Sequence, residues 1–168
     1  SGSPRRKRRR GSLKDFCSEK VKQEEVKGKE GTDIEKLVLG SADTFSYVNN
    51  IRVTKFNDDG SVEGELTVTP QSLNALGIVH GGCMATLADA VAGHAANRHG
   101  RCVTVNYAFN FLRPAKGTNK KIHCIALPEK VGQTLCIYHI SLTDDQGAQV
   151  ATGNFTFFRL GPAEHGAR

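Results

Sequence analysis

The sequence contains no C-x-x-C pair. Its five cysteines (Cys17, Cys83, Cys102, Cys124 and Cys136) are odd in number and widely spaced. That pattern argues against a disulfide framework or a zinc site and for a reducing compartment. No run of about 18 apolar residues occurs, so no transmembrane helix and no membrane span is expected. The first residues carry none of the apolar stretch of a secretory signal. A soluble cytoplasmic protein without a metal site is therefore expected. A mitochondrial or nuclear location is the alternative, because the N-terminal tail is basic.

Most of the chain also lacks any excess of charge. Residues 1–30 hold eleven Lys and Arg against five Asp and Glu, whereas residues 31–168 hold twelve of each, so the net +6 lies entirely in the tail. A neutral body gives no reason to expect a nucleic-acid surface on the fold itself. Residues 1–31 are rich in interspersed Lys and Glu and poor in apolar residues, a composition that cannot offset the entropy of ordering. They read as a basic, disordered tail. The run Arg5-Arg6-Lys7-Arg8-Arg9-Arg10 reads as a solvated arm, or as a nuclear-localisation or anion-binding patch. Arg9-Arg10-Gly11-Ser12-Leu13 resembles a basophilic-kinase site.

From Thr32 the texture becomes that of a folded domain, 32–160, followed by a flexible C-terminus, 161–168. Asp33–Leu39 reads as a short helix capped by Thr32 or Asp33. Phe45–Phe56 alternates imperfectly as a strand, Asn57-Asp58-Asp59-Gly60 is a hairpin turn signal, and Ser61–Thr69 alternates well before Pro70. Leu73–Asn97 is the long segment of helical character. Four strand-like runs follow: Cys102–Leu112, Lys121–Leu127, Thr134–Thr143 and Ala148–Arg159. Strands with one embedded helix predict an α+β domain with an antiparallel sheet. The helix is apolar nearly all round, so the sheet is expected to wrap around it.

Three features of Asn74–Asp89 go beyond packing. His80-Gly81-Gly82 opens the helix, and two glycines are poor helix formers. They admit a close approach to the backbone, and the first-turn N–H groups sit at the positive end of the helix dipole. Such a place suits a developing oxyanion; a tight strand-to-helix turn is the plainer reading. Asp89, seven residues after Gly82, lies on about the same face in an otherwise almost uncharged helix. Burial of a carboxylate needs a partner or a function and raises its pKa towards that of a general base. A structural Asp bonded to Thr86 is the alternative. Asn74, in the loop before the helix, can orient a carbonyl or a His ring, or simply shape a turn. Gly82 and Asp89 are about 10 Å apart along the helix at about 1.5 Å per residue. One reacting carbon cannot touch both, so a two-fold dimer bringing Asp89 of one subunit to His80-Gly81-Gly82 of the other is the economical arrangement.

The stretch Leu73-Asn74-Ala75-Leu76-Gly77-Ile78-Val79-His80-Gly81-Gly82, followed by Leu87-Ala88-Asp89, resembles the signature of hotdog-fold acyl-CoA thioesterases of the phenylacetate-degradation type. Val105–Gly117, with Asn110-Phe111-Leu112-Arg113-Pro114-Ala115-Lys116-Gly117, looks like that family's third strand and its exit turn. The resemblance spans about Asp33 to Leu160. It implies a hotdog fold and hydrolysis of acyl-CoA to free acid and CoA, without a resident cofactor because CoA is part of the substrate. It also implies that Gly82 N–H, with Asn74 and His80, polarises the thioester carbonyl, and that Gly81 is among the substrate-binding residues. Asp89 of the partner would activate water or attack directly, and Thr104 would hold the water. Asn106 stands where some relatives carry an acidic residue. Arg113 and Lys116 would contact the nucleotide phosphates, or else are ordinary solvated cations. The implied assembly is a homodimer that pairs into a homotetramer.

Other side chains read blandly. His94, His99, His123 and His139 have no metal-ligand spacing, and Cys83 lacks the companions of a nucleophile. The absence of Trp and of an aromatic cluster leaves the acyl group open. A hydratase on acyl thioesters, a non-catalytic acyl-CoA binder and a basic-arm nucleic-acid binder remain the competing functions.

Overall fold

Residues 45–160 are described by the computed structural model. The expected helix at Asp33–Leu39, the basic tail and the C-terminal residues fall outside them. A one-turn helix α1 (Phe45–Val48) precedes strands β1 (Ile51–Phe56) and β2 (Val62–Thr67), then a 3-10 turn (Pro70–Ser72) and the long helix α2 (Gly81–Asn97). Strands β3 (Cys102–Phe111), β4 (Lys121–Val131), β5 (Leu135–Asp144) and β6 (Gln149–Arg159) complete the order. The six strands form one antiparallel sheet in the order β1-β2-β4-β5-β6-β3. This is the α+β arrangement that the alternation of the sequence predicts.

The sequence-based boundaries fail at three places, each for a local reason. Phe45–Val48 is helical rather than extended. Asn49 ties this turn off, its side-chain amide donating to the Phe45 carbonyl (2.7 Å), and Asn50 takes a left-handed φ of 56° before β1 starts. Helix α2 begins at Gly81 rather than Leu73. Leu73–His80 is instead a loop, because Asn74 Oδ1 accepts from the N–H groups of Leu76 (2.9 Å) and Ile78 (3.3 Å), an Asx turn that competes with helix. Gly77 at φ 70° completes it. Strand β4 runs on past Leu127, and its register shifts between Pro128 and Lys130. A bulge is where a strand accommodates a proline that cannot donate to the ladder.

The helix lies on the concave face of the sheet. Met84, Leu87, Ala88, Val91, Ala92, Ala95 and Ala96 are buried, a stripe at three- and four-residue spacing. They pack in one core with Val62 and Leu66 of β2, Ile122 and Ala126 of β4, Tyr138 and Ile140 of β5, and Phe155 and Phe157 of β6. Full burial of each large apolar side chain contributes about 1.5–3 kcal/mol. The opposite side of the helix, carrying Gly82, Ala85, Thr86 and Asp89, is only partly covered. It faces β3.

The two edges of the sheet differ in kind. Strand β1 is short, carries Arg52 and Lys55, and has a register shift between Val53 and Lys55, devices that blunt an edge. Strand β3 spans ten residues and exposes apolar side chains along its length: Val103 43%, Val105 55%, Tyr107 53% and Phe111 54%. A long apolar edge of this kind is a template for pairing with another strand. No helix among the described residues is long and apolar enough to cross a membrane.

Close helix–sheet packing gives the first testable outcome. A Cβ added at Gly64 on β2 would run into Val91 Cγ2 and the Arg52 carbonyl. Gly64→Ala is expected to lower stability by about 1–3 kcal/mol through overpacking, read as a drop in the urea midpoint with an unchanged slope.

Candidate active site

The two glycines at the start of α2 have separate structural reasons. His80 is the N-cap, and its ring folds back so that Nδ1 accepts from Gly82 N–H at 2.9 Å. A Cβ on Gly82 would sit 3.0 Å from that nitrogen, so Gly82 gives the ring its place. Gly81 faces Phe111 of β3, whose Cζ lies 3.0 Å from where a Gly81 Cβ would stand. The space that the sequence suggested for a ligand is thus filled on two sides by rings of the chain itself.

The capping bond also redistributes the donors. Gly82 N–H, expected to be free, is taken by His80. The N–H groups of Cys83 and Met84 bond to the His80 carbonyl (3.0 and 3.3 Å). Gly81 N–H has no acceptor among the described residues. Because Nδ1 of His80 accepts, the proton of a neutral ring is on Nε2, which becomes a second outward donor. The helix start therefore offers Gly81 N–H and His80 Nε2–H in place of Gly82 N–H.

Asp89 is half-buried, not enclosed, and its partner is not Thr86. The Thr86 hydroxyl donates to the Gly82 carbonyl (2.8 Å), whereas Thr104 Oγ1 on β3 donates to Asp89 Oδ1 at 2.7 Å. The register of β3 against β6 shifts between Thr104 and Asn106. Such a bulge re-aims a strand's side chains, here beside the residue that holds Asp89. The other carboxylate oxygen faces a groove of about 780 Å³ lined by Gly82, Ala85, Thr86, Asp89, Thr104 and Asn106, with Phe45, Val105 and Tyr107. A second groove, of about 440 Å³, continues from Asp89 and Thr104 towards His94 and Cys102. Four of the residues singled out in the sequence thus share one groove: Gly82, Asp89, Thr104 and Asn106.

The loop before the helix joins this site to the β3 exit. Val79 N–H bonds to the Ala115 carbonyl (2.8 Å), Gly117 N–H bonds to the Gly77 carbonyl (3.1 Å), and Ile78 bridges Lys116. Asn74 spends its side-chain oxygen on the turn described above and keeps its amide donors. Arg113 and Lys116 are exposed on the exit turn and do not line the groove.

Known proteins place this geometry. Residues 76–151 match the family profile of the thioesterase superfamily. A curated protein of Deinococcus radiodurans, named provisionally as an esterase, is 33% identical over 85 residues, 51% of this chain and 58% of its own length. The chain thus spans little more than half of that relative. Among solved structures, the PaaI protein of the phenylacetic acid degradation operon of E. coli aligns at 27% identity and a TM-score of 0.65, over 70% of this chain and 84% of that one. A hypothetical thioesterase of Streptococcus pneumoniae, solved with coenzyme A, aligns at 29% identity and a TM-score of 0.62, over 67% of this chain and 88% of that one.

Residues 76–151 thus resemble the thioesterase superfamily over a little under half of the chain. Its sheet and central helix are the hotdog fold.

The remaining candidates are placed by the geometry. Cys83 is a free thiol whose pKa burial pushes up, which weakens it as a nucleophile. No cluster of three or more His, Cys, Asp or Glu side chains that could hold a metal is present among the described residues. Sequence reasoning missed Phe111 and Tyr107. Neither lies within the helix segment that drew attention, and only the strand pairing brings them to it.

The ring geometry at the helix start is directly measurable. The 15N shifts of His80 are expected to show Nε2–H with Nδ1 as acceptor, and Gly82→Ala is expected to abolish that pattern with a loss of about 1 kcal/mol typical of a removed cap. A wild-type ring carrying its proton on Nδ1 would contradict the capping bond.

Proposed function

We propose that the protein hydrolyses acyl-coenzyme A thioesters at two composite sites of a homodimer. The observation that carries this reading is the division of labour along β3. At one end Thr104 holds Asp89; at the other Phe111 packs on Gly81, beside the free donor. Those ends are about 24 Å apart at about 3.4 Å per residue. An antiparallel pairing of two β3 edges about a two-fold axis near Tyr107 and Ala108 would set the Thr104 end of one strand opposite the Phe111 end of the other. Asp89 of the partner subunit then faces His80 and Gly81. The match of residues 76–151 to the thioesterase superfamily and the coenzyme A in the Streptococcus pneumoniae structure support the substrate class.

The chemistry follows from the donors and the carboxylate. The thioester carbonyl oxygen accepts from Gly81 N–H and His80 Nε2–H, with the Asn74 amide as a third donor, so negative charge developing on it is met by fixed dipoles. Asp89 of the partner subunit, fixed by Thr104, takes a proton from water as the water oxygen bonds to the carbonyl carbon. Collapse of the tetrahedral intermediate breaks the C–S bond. The CoA thiolate takes up the proton and the free acid leaves. Direct attack by the Asp89 carboxylate is the variant of this route; it forms an anhydride that water then opens. No resident cofactor is needed, because CoA belongs to the substrate. Arg113 and Lys116, on the turn laced to the loop before His80, suit the nucleotide phosphates. Asn106 lines the groove as a neutral polar wall. Pairing of dimers into a tetramer would cover Leu127, Leu135 and Phe158, which the sheet exposes.

Across a panel of acyl-CoAs, Asp89→Asn is expected to lower kcat about 10²- to 10⁴-fold, the usual contribution of a general base, with the fold retained. Full activity in the variant would remove Asp89 from the mechanism. Binding without turnover by the wild type would instead support a non-catalytic acyl-CoA binder. In labelled water, single-turnover 18O in Asp89 identifies attack by the carboxylate, with water opening the anhydride at the Asp89 carbon; direct attack by water leaves Asp89 unlabelled.

A further inference from the structure

An aromatic ladder runs from the core to the start of α2. Phe155 on β6 is fully buried. Phe109 stands edge-on to it, with ring centroids 6.0 Å apart at 76°. Phe111 stands edge-on to Phe109 in turn, at 5.1 Å and 88°. On its other side Phe155 carries Tyr107, stacked at 4.7 Å and 7°, which lines the groove beside Asp89. One buried ring therefore anchors both an aromatic wall of the groove and the ring that lies over Gly81.

Phe111 is the exposed end of this ladder, yet its position is tightly defined. Its Cζ, Cε1 and Cε2 atoms lie 3.0, 3.3 and 3.5 Å from the place of a Gly81 Cβ, so the tip of the ring abuts the glycine. Gly81 carries the one first-turn N–H left without an acceptor among the described residues. An exposed aromatic ring would ordinarily gain more by packing flat on the sheet. Here it stands edge-on to Phe109 with its tip at Gly81, the residue that carries this donor.

We propose that Phe111 is a positioning residue that keeps water off the Gly81 N–H and so preserves that donor for the substrate. The inference rests on the reading of Gly81 as an oxyanion donor. Two consequences distinguish shielding from simple packing. A dry donor acts on the transition state more than on bound substrate, because the charge it meets develops only there. The shield also depends on ring reach: a long flexible side chain can replace it and a methyl group cannot. A hydroxyl added at Cζ would crowd Gly81 and push the ring off it.

The test compares wild type with Phe111→Ala, Phe111→Met and Phe111→Tyr in the full chain. Solvent exchange of the Gly81 amide is read by NMR, and kcat and KM are read on one acyl-CoA that the wild type hydrolyses. Phe111→Ala is expected to speed Gly81 exchange and lower kcat about tenfold, a fraction of the 10²- to 10³-fold effect of deleting such a donor, with KM little changed. Phe111→Met should recover most of both, and Phe111→Tyr neither. Unchanged Gly81 exchange in Phe111→Ala overturns the proposal, whether or not thioesters are hydrolysed. Faster exchange with unaltered kcat also overturns it. A wild type inactive on every acyl-CoA would count against the hydrolase reading alone, since the exchange measurement still decides the shield.

Discussion

The edge strand β3 is the constraint on which the rest of this site depends. Its single hydrogen bond from Thr104 fixes the Asp89 carboxylate, which the helix alone leaves half-exposed beside an open groove. Its far end delivers Phe111 to Gly81. Between these points the strand has no neighbour on its outer side among the described residues and displays valine, tyrosine and phenylalanine to solvent. The other edge, β1, is short, charged and irregular, as edges that must stay single tend to be. The contrast supports the proposed pairing through β3, which would make the site a property of two chains.

The helix start illustrates how small residues can be demanded by the protein's own side chains. Gly82 is required by the His80 ring and Gly81 by the Phe111 ring. Each ring then determines which backbone donors remain. His80 consumes one N–H and offers its own Nε2–H in return, so the cap is neutral in donor number and shifts the donors outward. In exchange the ring is fixed in tautomer and orientation. In the proposed mechanism the cap and a catalytic donor are the same side chain.

Much of this was legible in the sequence, and the failures have common causes. The alternation of Ser61–Thr69 and of the four later runs gave the strands, and the alanine-rich stretch gave the buried helix. The helix arithmetic separating Gly82 from Asp89 led to the expectation of a site divided between subunits. What the sequence could not give was anything decided by pairing across the sheet. Thr104 as the partner of Asp89 lies 15 positions away, and Phe111 as the neighbour of Gly81 lies further still. His80-Gly81-Gly82 marked the helix start correctly, while the helical character read back to Leu73 overran because Asn74 and Gly77 commit the backbone to a turn. The Gly82 donor was misassigned because no linear pattern says that a His ring will fold back on it.

The division of the site between two chains is tested most directly by mixing two inactive variants. One carries Asp89→Asn and the other His80→Ala, which removes the Nε2–H donor and the cap, and the two are unfolded and refolded together or co-expressed. Random reassortment makes half of the dimers mixed, and each of these holds one site with both defects and one with neither, so about a quarter of wild-type activity should return. If each site belonged to a single chain, the mixture would be no more active than the sum of its parts, and the composite site would be ruled out.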